Sequence, residues 1–147
     1  MRCEQVMETR FESLQAGQTV QHAARRMRDF GVRFLPICKG SGRVVGVISD
    51  GDIIIRAVAV GRAPELCSVD EVMTKTLVTC GPGDDISHAR SLMAAHDVQQ
   101  VLVTDQTGTL RGILKSSALA MRPSSAPSPS RRTQLPRSTA AGPLTTP

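Results

Sequence analysis

The chain repeats itself once, without a gap. Sliding the sequence by 66 residues puts Val6-Met7 on Val72-Met73, Gly17 on Gly83 and His22-Ala23 on His88-Ala89. Met27 then falls on Met93, Val32 on Val98, Gly42 on Gly108 and Gly46 on Gly112. Each copy closes on a glycine-led apolar segment, GVISDGD (Gly46 to Asp52) in the first and GILKSSA (Gly112 to Ala118) in the second. A unit this short cannot bury both faces of a sheet and its helices alone, so two tandem copies are expected to pack face to face. A fixed offset then implies a pseudo-two-fold axis and two related clefts, where a ligand is to be sought.

Each copy reads as strand, helix, strand, strand, helix. In the first, Phe11 to Leu14 is a short entering strand. Thr19 is a helix cap before Val20, Ala23, Ala24, Met27 and Phe30 at helical spacing, and Gly31 ends that helix. Phe34 to Cys38 and Val44 to Ile48 are strands around hairpin-type turn residues 39–43. The run Ile53 to Val60 is apolar on nearly every side, so periodicity alone leaves helix or strand open. Its preceding cap chemistry favours helix, and its all-round apolar character implies burial or a partner surface. In the second copy Asp85 caps a helix carrying Ile86, Ala89, Met93 and His96. Gln100 to Thr104 and Leu110 to Leu114 follow as strands, and a last helix starts near Ser116. The expected organisation is a first repeat at 1–61, a linker at 62–68, a second repeat at 69–121 and a tail at 122–147. The tail is rich in Pro, Ser, Thr, Ala and Arg and poor in large apolar residues, and is expected to be disordered.

Composition narrows the function classes. Of 147 residues three are Phe and none is Trp or Tyr, so the chain lacks the aromatic platforms of single-strand nucleic-acid binders. Its formal charge is +5, but Arg122, Arg131, Arg132 and Arg137 all sit in the tail and every acid precedes it, leaving about +1 for the body. Nucleic acid is therefore not an expected partner, although Arg131-Arg132 leaves open an adapter with a binding tail. No apolar run approaches the ~18–20 residues that span a bilayer, and the acidic start MRCEQVMETRF is unlike a signal peptide. No membrane association and a cytoplasmic location are the expectation. Cys3, Cys38, Cys67 and Cys80 fit no zinc-ligand spacing. They are expected to be reduced structural thiols, with an approach of Cys38 to Cys80 left open. His22 and His88 occupy matching helix positions, as a repeated fold requires, and assemble no catalytic or metal set.

The polar residues worth testing end the first copy. Ser49 stands where a strand meets a helix, with Asp52 three residues on. One reading is structural: Ser-x-x-Asp before an apolar run is a capping box with Asp in place of Glu or Gln. The other is functional: unpaired N–H groups at a helix start favour an anion, and a carboxylate one turn in can accept two hydrogen bonds from a vicinal diol such as a ribose. Both roles are compatible. In the second copy Lys115 and Ala118 stand at those places, so the diol acceptor is missing.

The tandem pattern, with GVISDGD after a strand pair and VRFLPIC (Val32 to Cys38) before it, resembles a CBS-domain pair (Bateman module) over about residues 4–121. The resemblance implies an α+β fold of two β-α-β-β-α repeats packed through their sheets. It also implies adenosyl ligands, AMP, ADP, ATP or S-adenosylmethionine, bound in the clefts as regulatory ligands rather than obligatory cofactors. The family signature G-h-x-S/T-x-x-D, h being apolar, maps onto Gly46, Val47, Ser49 and Asp52, with Ile48 between. By that resemblance Asp52 holds the ribose hydroxyls and Ser49 contacts ribose or phosphate. Phe34, Leu35 and Pro36 are implied wall residues, Arg33 a phosphate contact or a solvated charge, and Ser13 a weaker candidate. Homodimerisation through helices is also implied, with Ile53 to Val60 a suitable surface.

The leading expectation is a non-catalytic sensor with one competent adenosyl site, in the first repeat, whose occupancy an unidentified regulated protein reads. The alternative is a structural or protein-interaction module that has lost nucleotide binding. No catalytic constellation supports an enzyme.

Overall fold

The computed structural model describes residues 1–120, and the expectation for the tail at 122–147 lies outside them. The fold is α+β, with two three-stranded sheets of identical topology. The first contains β1 (Leu14–Gln15), β2 (Phe34–Lys39) and β3 (Arg43–Ser49), the second β4 (Thr79–Cys80), β5 (Gln100–Thr104) and β6 (Leu110–Lys115). In each the first strand runs parallel to the second, and the second and third form an antiparallel hairpin. The parallel pair requires a crossover, supplied by α1 (Val20–Phe30) in one unit and α4 (Ile86–His96) in the other.

Cap chemistry sets the helix ends. Thr19 Oγ1 accepts from the His22 N–H, and Asp85 accepts from the Ser87 N–H. Gly31 ends α1 in the left-handed region at φ 67°. Asp97 ends α4 at φ 53°, the one non-glycine residue with positive φ among the described residues. Val20, Ala23 and Met27 are buried along α1, as are Ile86, Ala89 and Met93 along α4, whereas Ala24, Phe30 and His96 face outward. The entering strand begins at Leu14, later than the expected Phe11. The run after Ser49 is helical: α2 (Asp50–Ile53) continues into a π-helical turn at Ile54–Val58, with Ile53 and Ala57 buried. Ile54, Ile55, Val58 and Val60 are more than half exposed, so this apolar run covers the core with one face only. Two short α-helices, α3 (Val69–Val72) and α5 (Ser116–Ala120), and 3-10 turns at Cys3–Gln5 and Pro64–Leu66 complete the described fold.

The segments that lead into each repeat are exchanged. Glu8 exchanges hydrogen bonds with Ile113 on β6 (2.8 and 3.0 Å), while Thr74 does the same with Val47 on β3 (2.8 and 3.0 Å). Cys3 packs in the core of the second sheet, whereas Cys67, Val69 and Val72 pack in the core of the first. A third cluster, Cys38, Val44, Leu102, Leu110 and Ile113, joins the two sheets. The hairpin turns also meet, through Val44 N–H to the Gly108 carbonyl and Leu110 N–H to the Gly42 carbonyl. Exchanged leading segments and a central cluster hold the two units together, so each cleft takes walls from both.

The four cysteines are free and buried. Cys80 Sγ lies 3.6 Å from Cys3 Sγ, and Cys38 is hydrogen-bonded to Ser13. The approach of Cys38 to Cys80 left open by the sequence is thus replaced by a Cys3–Cys80 contact, because the exchanged N-terminal segment brings Cys3 to the second sheet. Burial, with the Cys3 contact second, pushes the Cys80 thiol up to about 12. Cys3 and Cys38 are raised by burial as well.

Candidate functional site

Two clefts lie where the end of one repeat's last strand faces the other repeat. The first, about 370 Å³, is lined by Val47, Ser49, Asp50 and Asp52 from the end of β3 and the start of α2. Its other walls are Thr74, Thr76 and Val78 from the exchanged segment, Val98, Gln99, Gln100 and Leu102 from the second repeat, and Arg33 with Phe34. The second cleft, about 570 Å³, is lined by the matching positions Glu8, Arg10 and Glu12, Ile113 and Lys115, and 30–35. Both volumes suit a small organic ligand.

The Ser49–Asp52 pair is a complete capping box. Asp52 N–H donates to Ser49 Oγ at 3.1 Å, and Ser49 N–H donates to Asp52 Oδ2 at 2.9 Å. The box fixes the carboxylate on the cavity wall. Thr74 Oγ1 approaches from the exchanged segment, 3.4 Å from Oδ2 and 3.5 Å from Oδ1. Contacts that long are weak, so Oδ1 keeps most of its accepting capacity. A carboxylate held by its own helix on the wall of a cavity can receive hydroxyl donors without losing its cap. The structural reading of Ser-x-x-Asp holds, and its geometry is compatible with the functional one.

The candidates named from sequence divide by position. Val47, Ser49, Asp52, Arg33 and Phe34 come together on the first cleft. Leu35 lines the second cleft instead, and Pro36 and Ile48 are fully buried. Ser13 sits at Cys38 and lines neither cavity. Gly46 lies beneath the exchanged segment: a Cβ built there would fall 2.5 Å from Met73 Sδ and 3.2 Å from the Thr74 carbonyl oxygen. A side chain at the leading glycine of the signature would thus have to displace Met73 and press on the Thr74 backbone. The Arg33 side chain is 88% exposed and ion-paired with Asp50 at 3.7 Å.

Sequence reasoning missed the wall given by Thr74, Thr76, Val78, Val98, Gln99 and Gln100. The alternation of Thr74, Thr76 and Val78 is that of an extended segment with one face on the cavity. Nothing local says which repeat that face serves.

In the second cleft Lys115 Nζ is ion-paired with Glu8 Oε1 at 3.2 Å. By the 66-residue offset Lys115 stands at the place of Ser49, Glu8 at that of Thr74 and Ala118 at that of Asp52. A polar contact across the same junction is kept, but with a cation on the strand and the acid on the exchanged segment.

Residues 3–58 and 69–123 each match the family model described as CBS domain. The CBS domain-containing protein YhcV of Bacillus subtilis (strain 168) is 33% identical over 115 residues, covering 78% of this chain and 80% of that protein. A homoserine O-acetyltransferase of Methanohalophilus mahii is 30% identical over 115 residues, but these are only 23% of its length, so the likeness is confined to a part of that enzyme. Among solved structures, a CBS domain protein of Pyrobaculum aerophilum complexed with AMP superimposes with TM-score 0.75 at 22% identity, over 83% of this chain and 92% of that one. A CBS domain pair in complex with 5′-methylthioadenosine and S-adenosyl-L-methionine gives TM-score 0.73 at 21% identity, over 82% and 94%. At these identities the structural likenesses establish the fold. Among the described residues no helix is long and apolar enough to cross a membrane, and no three His, Cys, Asp or Glu residues gather as a metal site.

Proposed function

The chain belongs to the CBS-domain family, and from that premise we propose that it is a cytoplasmic, non-catalytic regulatory module binding one adenosyl ligand in its first cleft. The observation that carries this reading is the Asp52 carboxylate, held through Oδ2 by its own helix cap and lining a cavity of ligand size with only long contacts to Thr74. Asp52 accepts the ribose diol. Ser49 and Thr74 supply hydroxyls beside it, and Gln99 and Gln100 offer amides from the facing repeat. Relatives in fold complexed with AMP, or with 5′-methylthioadenosine and S-adenosyl-L-methionine, support the ligand class.

Binding regulates only if the ligand favours one arrangement over another. The cleft is suited to that, because its walls come from both repeats and a ligand bridges them. The second repeat completes the fold and supplies the facing wall. Homodimerisation is part of the proposal: the outward face of Ile54, Ile55, Val58 and Val60 is the surface for a second copy. Sedimentation of the full chain at tens of micromolar should give a dimer, and a monomer throughout would exclude it.

Calorimetric titration with AMP, ATP and S-adenosylmethionine tests the ligand. At least one is expected to bind once per chain, with Asp52→Ala weakening it by about ten- to hundredfold, the cost of a hydrogen-bonded charged partner. Binding that ignores Asp52→Ala would remove the site assignment. No heat and no thermal shift with any of the three would leave the interaction module, a reading favoured by the Lys115–Glu8 pair in the second cleft.

A further inference from the structure

Charge divides the two clefts. The charged residues lining the first are Arg33, Asp50 and Asp52, one cation against two acids. The remaining polar lining, Ser49, Thr74, Thr76, Gln99 and Gln100, is neutral. Lys75 lies between the two lining threonines but is not itself part of the wall. Arg33 is already matched by Asp50. If it swings away to meet an anion, Asp50 is uncovered and the formal balance of the cleft is unchanged. Apart from Arg33, which borders both clefts, the second cleft is balanced, with Arg10 and Lys115 against Glu8 and Glu12, whereas the first has two acids and no other cation.

Resting on the adenosyl reading above, we infer that the first cleft selects adenosyl ligands whose 5′ substituent is uncharged or cationic, a nucleoside, thioether or sulfonium, and discriminates against nucleoside polyphosphates. The diol anchors on Asp52, so whatever the 5′ carbon carries remains within a few ångströms of an acidic wall. Each phosphate adds a like charge to that recess, while a sulfonium adds an opposite one. Interactions at such distances reach about a factor of ten in affinity even at solvent-exposed dielectric. They weaken as salt shortens the screening length.

The test is calorimetric titration of the full chain with 5′-methylthioadenosine, S-adenosylmethionine, AMP and ATP at low and at high ionic strength. The thioether and the sulfonium are expected to bind at least about tenfold more tightly than ATP at low salt, with AMP between and the gap narrower at high salt. Asp50→Asn removes one like charge and releases Arg33, so it should narrow the gap by about tenfold. ATP binding that ignores Asp52→Ala but falls with Arg10→Ala belongs to the second cleft and supports the division. ATP binding as tight as the thioether's and lost in Asp52→Ala overturns the charge inference while leaving the adenosyl site intact, as does a gap unmoved by Asp50→Asn. Silence from all four ligands is instead the failure of the adenosyl reading itself.

Discussion

The two clefts share one backbone plan and differ in what three positions do with it. In the first, Ser49, Asp52 and Thr74 form a cap whose carboxylate is shared with the cavity. In the second, Lys115 and Glu8 close on each other, and Ala118 offers nothing. Both arrangements tie an exchanged leading segment to the end of a strand. The difference shows that the structural duty of this junction can be met in two ways, of which only the first places a carboxylate at the helix cap. A repeat can thus exchange the residues of its cap while keeping the contact that ties the leading segment to the strand end.

The exchange itself is the strongest shared element, and the largest effect is expected where it is tightest. A Cβ at Gly112 would lie 2.9 Å from the Glu8 carbonyl oxygen and within 3 Å of Met7, closer than the 3.2 Å between its counterpart at Gly46 and the Thr74 carbonyl. Backbone cannot yield as a flexible side chain can. Gly112→Val is expected to cost about 3 kcal/mol and Gly46→Val less, the range of overpacked sites. Denaturant midpoints read both, and equal losses would show that the two junctions are not graded by approach distance.

The next effect concerns the ligand. Transplanting the first junction into the second, with Glu8→Thr, Lys115→Ser and Ala118→Asp together, should create a second site. Restoring a charged acceptor is expected to contribute about 2 kcal/mol, and calorimetric stoichiometry should rise from one toward two per chain. If stoichiometry stays at one, the larger second cleft is shaped for something other than an adenosyl group, and the difference between the clefts goes beyond these three residues.

A smaller difference lies at the helix ends. Gly31 and Asp97 both adopt positive φ, but only glycine does so without steric cost. Asp97→Gly is expected to stabilise the chain by about 0.5 kcal/mol and Gly31→Asp to destabilise it by about the same, since Asp tolerates this region better than most residues. Unfolding midpoints of the two variants should move in opposite directions.

Much of this was legible in the sequence, for a physical reason that also marks where legibility ends. Burial at helical spacing from Val20 to Met27, the caps at Thr19 and Asp85, and the hairpins are local patterns, and each element formed where its pattern lies. The 66-residue offset marked the two junctions and which of them lacks a carboxylate. Ownership of the leading segments was hidden, because the same offset results whether residues 1–8 pack on their own repeat or on the other. That ambiguity concealed the Cys3–Cys80 contact. Likewise, no local sign in the sequence shows that Val98, Gln99 and Gln100 of the second repeat face the first cleft beside Arg33 and Phe34, while Leu35 faces the second. The π-helical turn at Ile54–Val58 follows an apolar run with no periodic cue, so only its direction of burial could reveal it.

The same pair of helices gives the smallest and most selective difference, in acid. Thr19 caps α1 with a neutral hydroxyl, whereas Asp85 caps α4 with a carboxylate. Hydrogen bonds from Ser87 hold the Asp85 carboxyl down to about 2. A carboxyl depressed on folding contributes stability above its ordinary value near 4, and that contribution disappears as pH falls through the folded value. The window is therefore about pH 4 to about pH 2, and α4 is affected while α1 keeps its cap. Urea midpoints for Asp85→Thr should fall less steeply across that window than those of the wild type, and Thr19→Asp should make the decline steeper. Asp85 is exposed to solvent and also pairs with the N-terminal ammonium at 3.3 Å, so the slope should also flatten as salt is added. An Asp85→Thr variant as acid-sensitive as the wild type would move the origin of that sensitivity away from the helix caps, and with it the distinction between the two repeats at low pH.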